Sequence, residues 1–177
     1  MNVVLIGFKS AGKSTIGRIL ATRMRMRFVD LDDVVEDVYQ RETGQKKRCR
    51  YIFRYDGEET FRQYESMALK EVAEQDGVLL ATGGGAPMPE ANRPLLQKIG
   101  VIIYLDVDPE VIYERFQRNR MPVYLHEDDS YDAFKKVYDT RSSVYRSLAS
   151  YSIEIHREEA ENVVHEALRL LSLHEKP

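Results

Sequence analysis

The amino-terminal segment constrains the fold more than any other part of the chain. Residues 2–7 form an apolar, β-branched run, NVVLIG, which is typical of a buried strand. Residues 13–24, KSTIGRILATRM, place apolar side chains at helical spacing on one face. The loop between them reads GFKSAGKST and fits G-x-x-x-x-G-K-[ST], a phosphate-binding pattern that lies between a strand and a helix.

Each part of this loop has a physical role in holding an anion. Gly7 and Gly12 allow the turns that direct successive backbone N–H groups inward, and the N-terminus of the following helix adds its dipole. Lys13 can reach the β- and γ-phosphates of a nucleotide, and the Ser14 hydroxyl can ligate Mg²⁺. The predicted nucleotide-binding residues are Gly7, Lys9, Ser10, Ala11, Gly12, Lys13, Ser14 and Thr15.

Four further strand-like runs follow, separated by helical segments. They read RFVDLD, GVLLATGGG, VIIYLDVDP and YSIEI. This alternation predicts an α/β fold in which a parallel sheet has helices on both faces. Residues 1–177 are then one domain. Ligands are expected where the strands end, in the loops after Ile6, Val29, Ala81 and Leu105.

Composition argues against several classes of protein. The chain has 177 residues, a net charge of −3 and a single cysteine. This charge gives no indication of a nucleic-acid or anionic-membrane partner. No apolar run approaches the roughly 20 residues of a membrane span, and MNVVLIG lacks the flanks of a signal peptide. We therefore expect a cytoplasmic protein without nucleic-acid or membrane partners. We also expect a monomer, although composition does not determine the oligomeric state.

The cysteine, Cys49, lies in the basic run KKRCR at residues 46–50. The neighbouring positive charges are expected to lower the pKa of its thiol. A solvated basic turn is the favoured interpretation of the run, and a docking patch is the alternative. Because no partner base is evident, Cys49 receives no catalytic role.

Acidic side chains end the second strand in the sequence VDLDD. Asp30 and Asp32 would lie on one side of the chain if it stays extended. Beside a phosphate loop, one carboxylate can hold Mg²⁺ or its waters, and another can accept a hydrogen bond from the hydroxyl that is phosphorylated. The alternative is that these acids cap the next helix, which is the favoured interpretation for Asp33.

Two arginines are candidates for binding an anionic substrate. Arg62 and Glu65 are three residues apart on a predicted helix, and they form either a weak surface ion pair or a guanidinium fork oriented by the carboxylate. Arg141, with Tyr145 one helical turn later, is the second candidate. The residues alone leave these alternatives open.

A phosphate loop identifies a nucleotide site but not a reaction. The chain contains no N-K-x-D sequence that would read guanine, which argues against a GTPase switch. A nucleotide-dependent regulatory module and a small-molecule kinase remain, and a second substrate site would favour the kinase. The run GGG at residues 83–85 is conformationally costly and indicates a backbone that another group approaches closely.

Over nearly its full length the chain resembles the shikimate kinases. The matching stretches are GFKSAGKSTIGRILA, the D-x-D of FVDLD, DGE and FR..E in DGEETFRQYE, GGGA, and the R...Y of TRSSVY. Taken together, the order and spacing of these stretches are specific to that family. The resemblance implies phosphoryl transfer from ATP to the 3-hydroxyl of shikimate. It also implies a three-layer P-loop fold with five parallel strands in the order 2-3-1-4-5.

On the nucleotide side, the resemblance assigns Lys13 and Ser14 to ATP and Mg²⁺. It places Asp30 near the metal and its waters. Arg115, in YERFQRNR, matches the residue that stacks on adenine.

On the acceptor side, the resemblance implies that Asp32 binds the substrate hydroxyls and orients or deprotonates the nucleophile. Glu65 supports the site. The implied substrate-binding residues are Asp32, Arg62, Gly83, Gly84, Gly85 and Arg141, with the two arginines on the substrate carboxylate.

The predicted mobile lid, residues 119–130, departs from the family pattern. The family has an arginine directly before a proline, whereas here Met121 precedes Pro122 and Arg120 is one position early. Arg120 clamps the γ-phosphate if its side chain reaches the place that the family's arginine takes before the proline. Otherwise we expect lower activity or another substrate. Closure of this lid would exclude water from the transfer.

A second departure lies between Gly44 and Phe61, where the chain is about two residues longer than the family pattern, a difference that a loop tolerates. This segment can reshape the predicted substrate-binding region, residues 32–62. A kinase for another anionic polyol, such as gluconate, is the alternative enzyme.

Overall fold

One parallel sheet organises the computed structural model, which describes residues 1–118 and 130–174. Its strand order is β2-β3-β1-β4-β5, and every neighbouring pair is parallel. The predicted α/β fold and strand order are therefore confirmed. The strands are β1 (Val3–Ile6), β2 (Arg27–Asp30), β3 (Val78–Ala81), β4 (Val101–Val107) and β5 (Tyr151–Ile155).

Helices flank the sheet, and the three central strands β1, β3 and β4 are buried at every position. Such continuous burial explains why these strands read as unbroken apolar runs. The helices are α1 (Lys13–Met24), α2 (Leu31–Thr43), α3 (Cys49–Tyr51), α4 (Glu58–Val72), α5 (Arg93–Ile99), α6 (Pro109–Arg118), α7 (Tyr131–Leu148) and α8 (Ala160–His174).

Helix boundaries follow the local sequence closely. Helix α1 has its predicted ends, and α2 stops where Gly44 adopts a left-handed φ of 71°. Helix α4, Glu58–Val72, carries both Arg62 and Glu65, as the spacing of these two residues predicted. No helix within the two described ranges is both long and apolar enough to cross a membrane.

Helix α1 packs close to the sheet at Gly17. A Cβ at this position would lie 2.7 Å from the ring of Phe28 and 3.1 Å from the side chain of Leu79. The missing side chain allows the helix backbone to approach the strands. This contact fixes the helix whose N-terminus follows the phosphate loop.

The longer segment between α2 and α4 folds into short helical turns. Helix α3 continues into a π-helical turn, Ile52–Asp56, in which Ile52 is fully buried. Lys47 forms a 2.8 Å ion pair with Asp56, and Arg48 forms a 3.1 Å ion pair with Glu36. The prediction of a solvated basic turn is therefore only partly correct, because ion pairs hold two of its side chains.

Asp106 joins β4 to α7. Its Oδ1 lies 2.7 Å from the hydroxyl of Tyr104 and 3.1 Å from that of Tyr138, and Oδ2 accepts a 2.8 Å hydrogen bond from Arg146. Burial and the Asp106 charge raise the pKa of Tyr138 to about 12, so its hydroxyl stays protonated at neutral pH. The network therefore sets the position of α7, the helix that carries Arg141.

We expect Asp106→Ala to lower the free energy of unfolding by about 2–3 kcal/mol, because buried hydroxyls lose a charged acceptor. Urea denaturation followed by circular dichroism measures the loss. Arg146→Ala is the matched comparison, since its side chain is 60% exposed, and it is expected to cost about 1 kcal/mol or less. Equal losses in the two variants would contradict a central role for the carboxylate.

Candidate active site

The loops after β1, β2 and β3 meet at the carboxyl edge of the sheet around a cleft of about 410 Å³. This is the edge where parallel α/β sheets bind their ligands. The cleft is lined by Lys9, Ser10, Gly12, Lys13, Ser14, Thr15, Asp30, Asp32, Cys49, Arg50, Phe53, Phe61, Arg62, Glu65, Thr82, Gly83, Gly84 and Gly85.

The phosphate loop wraps around the ammonium group of Lys13. Gly7, Ser10 and Gly12 all have positive φ angles, of 145°, 66° and 91°. Lys13 Nζ donates to Gly7 O at 2.8 Å and to Phe8 O at 2.6 Å, so its ammonium group is held by the start of the loop. Burial lowers the pKa of Lys13 to about 8, although the charges of two nearby aspartates oppose the shift. Lys13 therefore remains mostly charged at pH 7.

Asp30 connects this loop to the next helix. Its Oδ2 accepts a 2.9 Å hydrogen bond from the Ser14 hydroxyl, and its Oδ1 accepts from the backbone N–H of Asp32 at 3.2 Å. Asp30 is therefore the N-cap of α2. The chain turns into a helix directly after Asp30, so the extended chain that would place Asp30 and Asp32 on one side does not occur. Asp30 makes the hydrogen-bonded cap favoured for Asp33, and Asp33 lies in the first turn of α2.

Asp32 is left available to a ligand because Asp30 makes the capping bond. Its residue surface is open to the cleft, yet protein atoms crowd its carboxyl group on the other sides. This desolvation, with the charge of Asp30, raises the pKa of Asp32 to about 6, while Lys13 opposes the shift. The group is thus a carboxylate at pH 7 that takes up a proton under mildly acidic conditions.

Arg62 and Glu65 form an ion pair inside the cleft, with a separation of 2.8 Å. The Glu65 side chain is only 2% exposed and that of Arg62 is 20% exposed, so this is not the surface pair of the alternative interpretation. Burial raises the pKa of Glu65, and the neighbouring guanidinium of Arg62 partly offsets the shift. Arg62 also lies 5.1 Å from the ring centroid of Phe61. These contacts hold the guanidinium in one place.

The glycine run has no positive φ angles, so its glycines serve close packing and not an unusual turn. A Cβ at Gly83 would lie 3.3 Å from Asp32 Oδ1, and one at Gly84 would lie 3.1 Å from the backbone nitrogen of Lys9. A Cβ at Gly85 would lie 2.5 Å from the guanidinium of Arg62. The run thus allows the charged groups and the phosphate loop to crowd against one backbone.

Helix α7 contacts this region through two predicted residues. The Tyr145 hydroxyl donates to Gly84 O. The Arg141 guanidinium lies 5.6 Å from the ring centroid of Phe8, and its charge contributes to the lowered pKa of Lys13. Arg141 lies beside the phosphate loop but is not among the described residues that line the cleft.

Arg115 lies on a second cleft, also of about 410 Å³. Its Nη1 donates to Ser10 O at 2.7 Å, which ties α6 to the phosphate loop. Ala11, Ile155 and Val163 are other lining residues of this cleft. The two clefts meet the same loop, and Arg120 with the predicted lid up to residue 129 lies outside the described residues.

Cys49 lines the first cleft, and its thiol donates to the backbone carbonyl of Asp32 at 3.3 Å. Burial and the charges of Asp32 and Glu36 raise the pKa of this thiol. The expectation of a lowered pKa was wrong, because the fold buries the thiol and places carboxylates around a cysteine whose sequence neighbours are basic. Two of those basic neighbours, Lys47 and Arg48, bind carboxylates instead.

Sequence reasoning missed Arg50, Phe53 and Phe61 as lining residues. The signal available was the unusual length of the segment that contains them. Length shows that a loop is different but not which side chains turn toward a ligand, so the residues themselves could not be named.

Comparison with known proteins gives consistent results. A family model described as shikimate kinase matches residues 9–172. The chain is 38% identical over 154 residues to a shikimate kinase of Aromatoleum aromaticum, covering 87% of this chain and 85% of the relative. It is 33% identical over 170 residues to a shikimate kinase of Vibrio parahaemolyticus, covering 96% and 95% of the two chains.

Solved structures agree with the sequence relatives. A shikimate kinase from Acinetobacter baumannii in complex with shikimate has a TM-score of 0.87, 30% identity, and coverage of 99% of this chain and 95% of that chain. A shikimate kinase from Aquifex aeolicus has a TM-score of 0.76 at 29% identity, with 98% of each chain covered.

We expect Asp32→Asn to stabilise the protein at pH 7.5, because the native site disfavours the charge. A pKa rise of about 2 units corresponds to about 2.7 kcal/mol, and the opening to the cleft reduces the expected gain to about 1 kcal/mol. In the wild type the folded state binds the extra proton, so wild-type stability rises as pH falls through about 6. The advantage of the variant should therefore shrink toward pH 5.

Denaturant unfolding of both proteins at pH 7.5 and pH 5 measures this difference. Asp37→Asn, on the same helix but outside the cleft lining, controls for the change of net charge. An advantage of Asp32→Asn that stays constant between the two pH values would refute the raised pKa.

Proposed function

Because the chain belongs to the shikimate kinase family, we propose that its first cleft holds shikimate against the phosphoryl group of ATP. The protein is a kinase that phosphorylates the 3-hydroxyl of shikimate with ATP, giving shikimate 3-phosphate and ADP. One observation carries the proposal for the site. A phosphate loop and an arginine paired with a buried carboxylate line the same cleft, with Asp32 also on its wall.

The nucleotide occupies the side of the cleft formed by the phosphate loop. Lys13 exchanges its two loop carbonyl partners for phosphate oxygens, and the backbone N–H groups of residues 9–15 add further donors. Adenine occupies the second cleft, where Arg115 stacks on it. The bond from Arg115 to Ser10 O supports this placement, because it ties the stacking residue to the loop.

Ser14 and Asp30 are the residues that would hold Mg²⁺. Their oxygens are already 2.9 Å apart, and a hydroxyl with a carboxylate is the oxygen donor set that this ion accepts. Mg²⁺ typically keeps several waters and binds the phosphates, so few protein ligands are needed. When bound, it neutralises charge on the transferring group.

The shikimate carboxylate binds Arg62, which lines the cleft, and Arg141, which lies beside the phosphate loop and outside the described lining. Arg62 is oriented by Glu65, whose burial makes an unpaired state costly and so keeps the pair together. The backbone of Gly83, Gly84 and Gly85 lies against the hydroxylated ring. A Cβ at Gly85 would collide with the Arg62 guanidinium, and Cβ atoms at Gly83 and Gly84 would crowd Asp32 and the Lys9 backbone.

Asp32 orients the 3-hydroxyl and accepts its proton. A carboxylate with a pKa of about 6 is ionised at neutral pH and is a stronger base than an ordinary aspartate. Positioning and charge neutralisation supply most of the rate in phosphoryl transfer. Lys13 and Arg120 supply the positive charge.

The lid, the extent of the substrate-binding region, the domain organisation, the oligomeric state and the location of the protein stay predictions. Residues 119–130 form the lid, residues 32–62 form the substrate-binding region, and residues 1–177 act as one domain. The protein is a cytoplasmic monomer without nucleic-acid or membrane partners. Family membership favours shikimate over gluconate and favours an enzyme over a regulatory module.

An ADP-release assay with shikimate, with gluconate and without acceptor tests the proposed function. ADP release that depends on shikimate supports it. Equal or greater turnover with gluconate, or saturable ATP binding with no acceptor-dependent release, would overturn it.

In the same assay, Lys13→Ala is expected to lower kcat by about 10³-fold or more, because a cation on the transferring phosphoryl group is lost. Lys70→Ala is the control, since Lys70 is exposed on α4 away from the cleft. Near-normal turnover of Lys13→Ala would remove the phosphate loop from the reaction.

Arg62→Ala is expected to raise KM for shikimate by about 10–100-fold, the effect of losing a charged hydrogen bond, with KM for ATP within about twofold. Arg41→Ala is the matched control, because Arg41 also forms an ion pair with a glutamate of α4, but at the surface. Arg62→Lys keeps a charge for Glu65 and separates loss of recognition from misfolding. An unchanged KM for shikimate in both Arg62 variants would exclude this role.

A further inference from the structure

We propose that Arg50 is an additional recognition residue that captures the carboxylate of shikimate at the mouth of the cleft. The inference rests on the proposed function. Arg50 lies on α3, in the longer segment of this chain, and its exposed side chain lines the cleft together with Arg62. Its neighbours Cys49 and Phe53 line the same wall.

The charge of Arg50 is available to a ligand, unlike those of two neighbours. Lys47 is paired with Asp56 and Arg48 with Glu36. In residues 1–118 and 130–174, no carboxylate lies within the 4.0 Å of an ion pair from the Arg50 guanidinium. The basic run therefore places one uncompensated guanidinium on the cleft.

The guanidinium is held by an aromatic neighbour. It lies 4.5 Å from the ring centroid of Tyr51, and its Nη2 donates to the Tyr51 hydroxyl at 2.8 Å. Tyr51 in turn stacks on Tyr55, with ring centroids 6.0 Å apart. This support lowers the entropy lost on binding. One hydrogen bond occupies one of five N–H donors, so a carboxylate can still be bound by two others.

The charges of the cleft explain why an extra arginine is useful. Asp30, Asp32 and Glu65 all line it and repel an anionic acceptor, whereas Lys9, Lys13 and Arg62 only balance their formal charge, and Arg62 is paired with Glu65. A guanidinium at the mouth offsets this repulsion and attracts the acceptor by a long-range interaction that salt screens. Arg50 therefore acts on capture of shikimate and not on the chemical step.

The experiment compares Arg50→Ala with Arg54→Ala. Arg54 is the matched control, because it is exposed on the same segment and lies 5.7 Å from the ring centroid of Tyr55, but does not line the cleft. Steady-state kcat and KM for shikimate and for ATP are measured at about 20 mM and about 300 mM KCl, which spans weak and strong screening. Arg50→Lys tests whether the charge alone suffices.

We expect Arg50→Ala to raise KM for shikimate by about 5–10-fold at low salt and by less at high salt, as screening weakens the lost attraction. The kcat, the KM for ATP and the melting temperature should stay near wild type. Arg54→Ala should resemble wild type in every measurement. The KM of Arg50→Lys for shikimate should lie between those of wild type and Arg50→Ala.

Equal effects of Arg50→Ala and Arg54→Ala, a matching rise in KM for ATP, or a KM change that salt does not alter would each overturn the inference. Failure of this inference differs from failure of the proposed function. A wild-type enzyme that phosphorylates shikimate while Arg50→Ala is unchanged defeats only the role of Arg50. A wild-type protein without shikimate-dependent turnover defeats both.

Discussion

The rest of the site depends on the two hydrogen bonds that the Asp30 carboxylate accepts. One oxygen caps α2 and the other accepts the hydroxyl of Ser14 at the start of α1. A single side chain therefore sets the N-terminus of α2 against the phosphate loop. Because Asp30 makes the cap, the next acid, Asp32, can face the cleft, and the two sides of the proposed reaction lie next to each other.

The cleft is built from charges that are costly to bury. Lys13 is partly deprived of water, Glu65 needs the guanidinium of Arg62, and Asp32 holds its charge less readily than an ordinary aspartate. Each of these costs is borne by the surrounding fold, which positions the groups before any ligand arrives. The glycine run contributes by omitting side chains where Asp32, Arg62 and the backbone of the phosphate loop come close together.

Most of the fold could be predicted from the sequence, because its signals are local. The phosphate-loop motif and the apolar runs each depend on a few adjacent residues, and the observed ends of β1 and α1 lie within one residue of the predicted ones. The candidate site was predicted less completely. Its glycines and its Arg62–Glu65 pair were identified, whereas Arg50, Phe53 and the Asp106 network were not, since partners distant in sequence define them.

Cys49 illustrates the limit most clearly. Its sequence neighbours predicted a lowered pKa, and its spatial neighbours raise it. The sequence by itself determined the α/β class, the family and the nucleotide loop, because these follow from short-range spacing and backbone requirements. Only the tertiary structure decided which acid caps α2, which arginine keeps an uncompensated charge on the cleft and which pKa values shift, because burial and electrostatic interactions depend on groups that folding brings together.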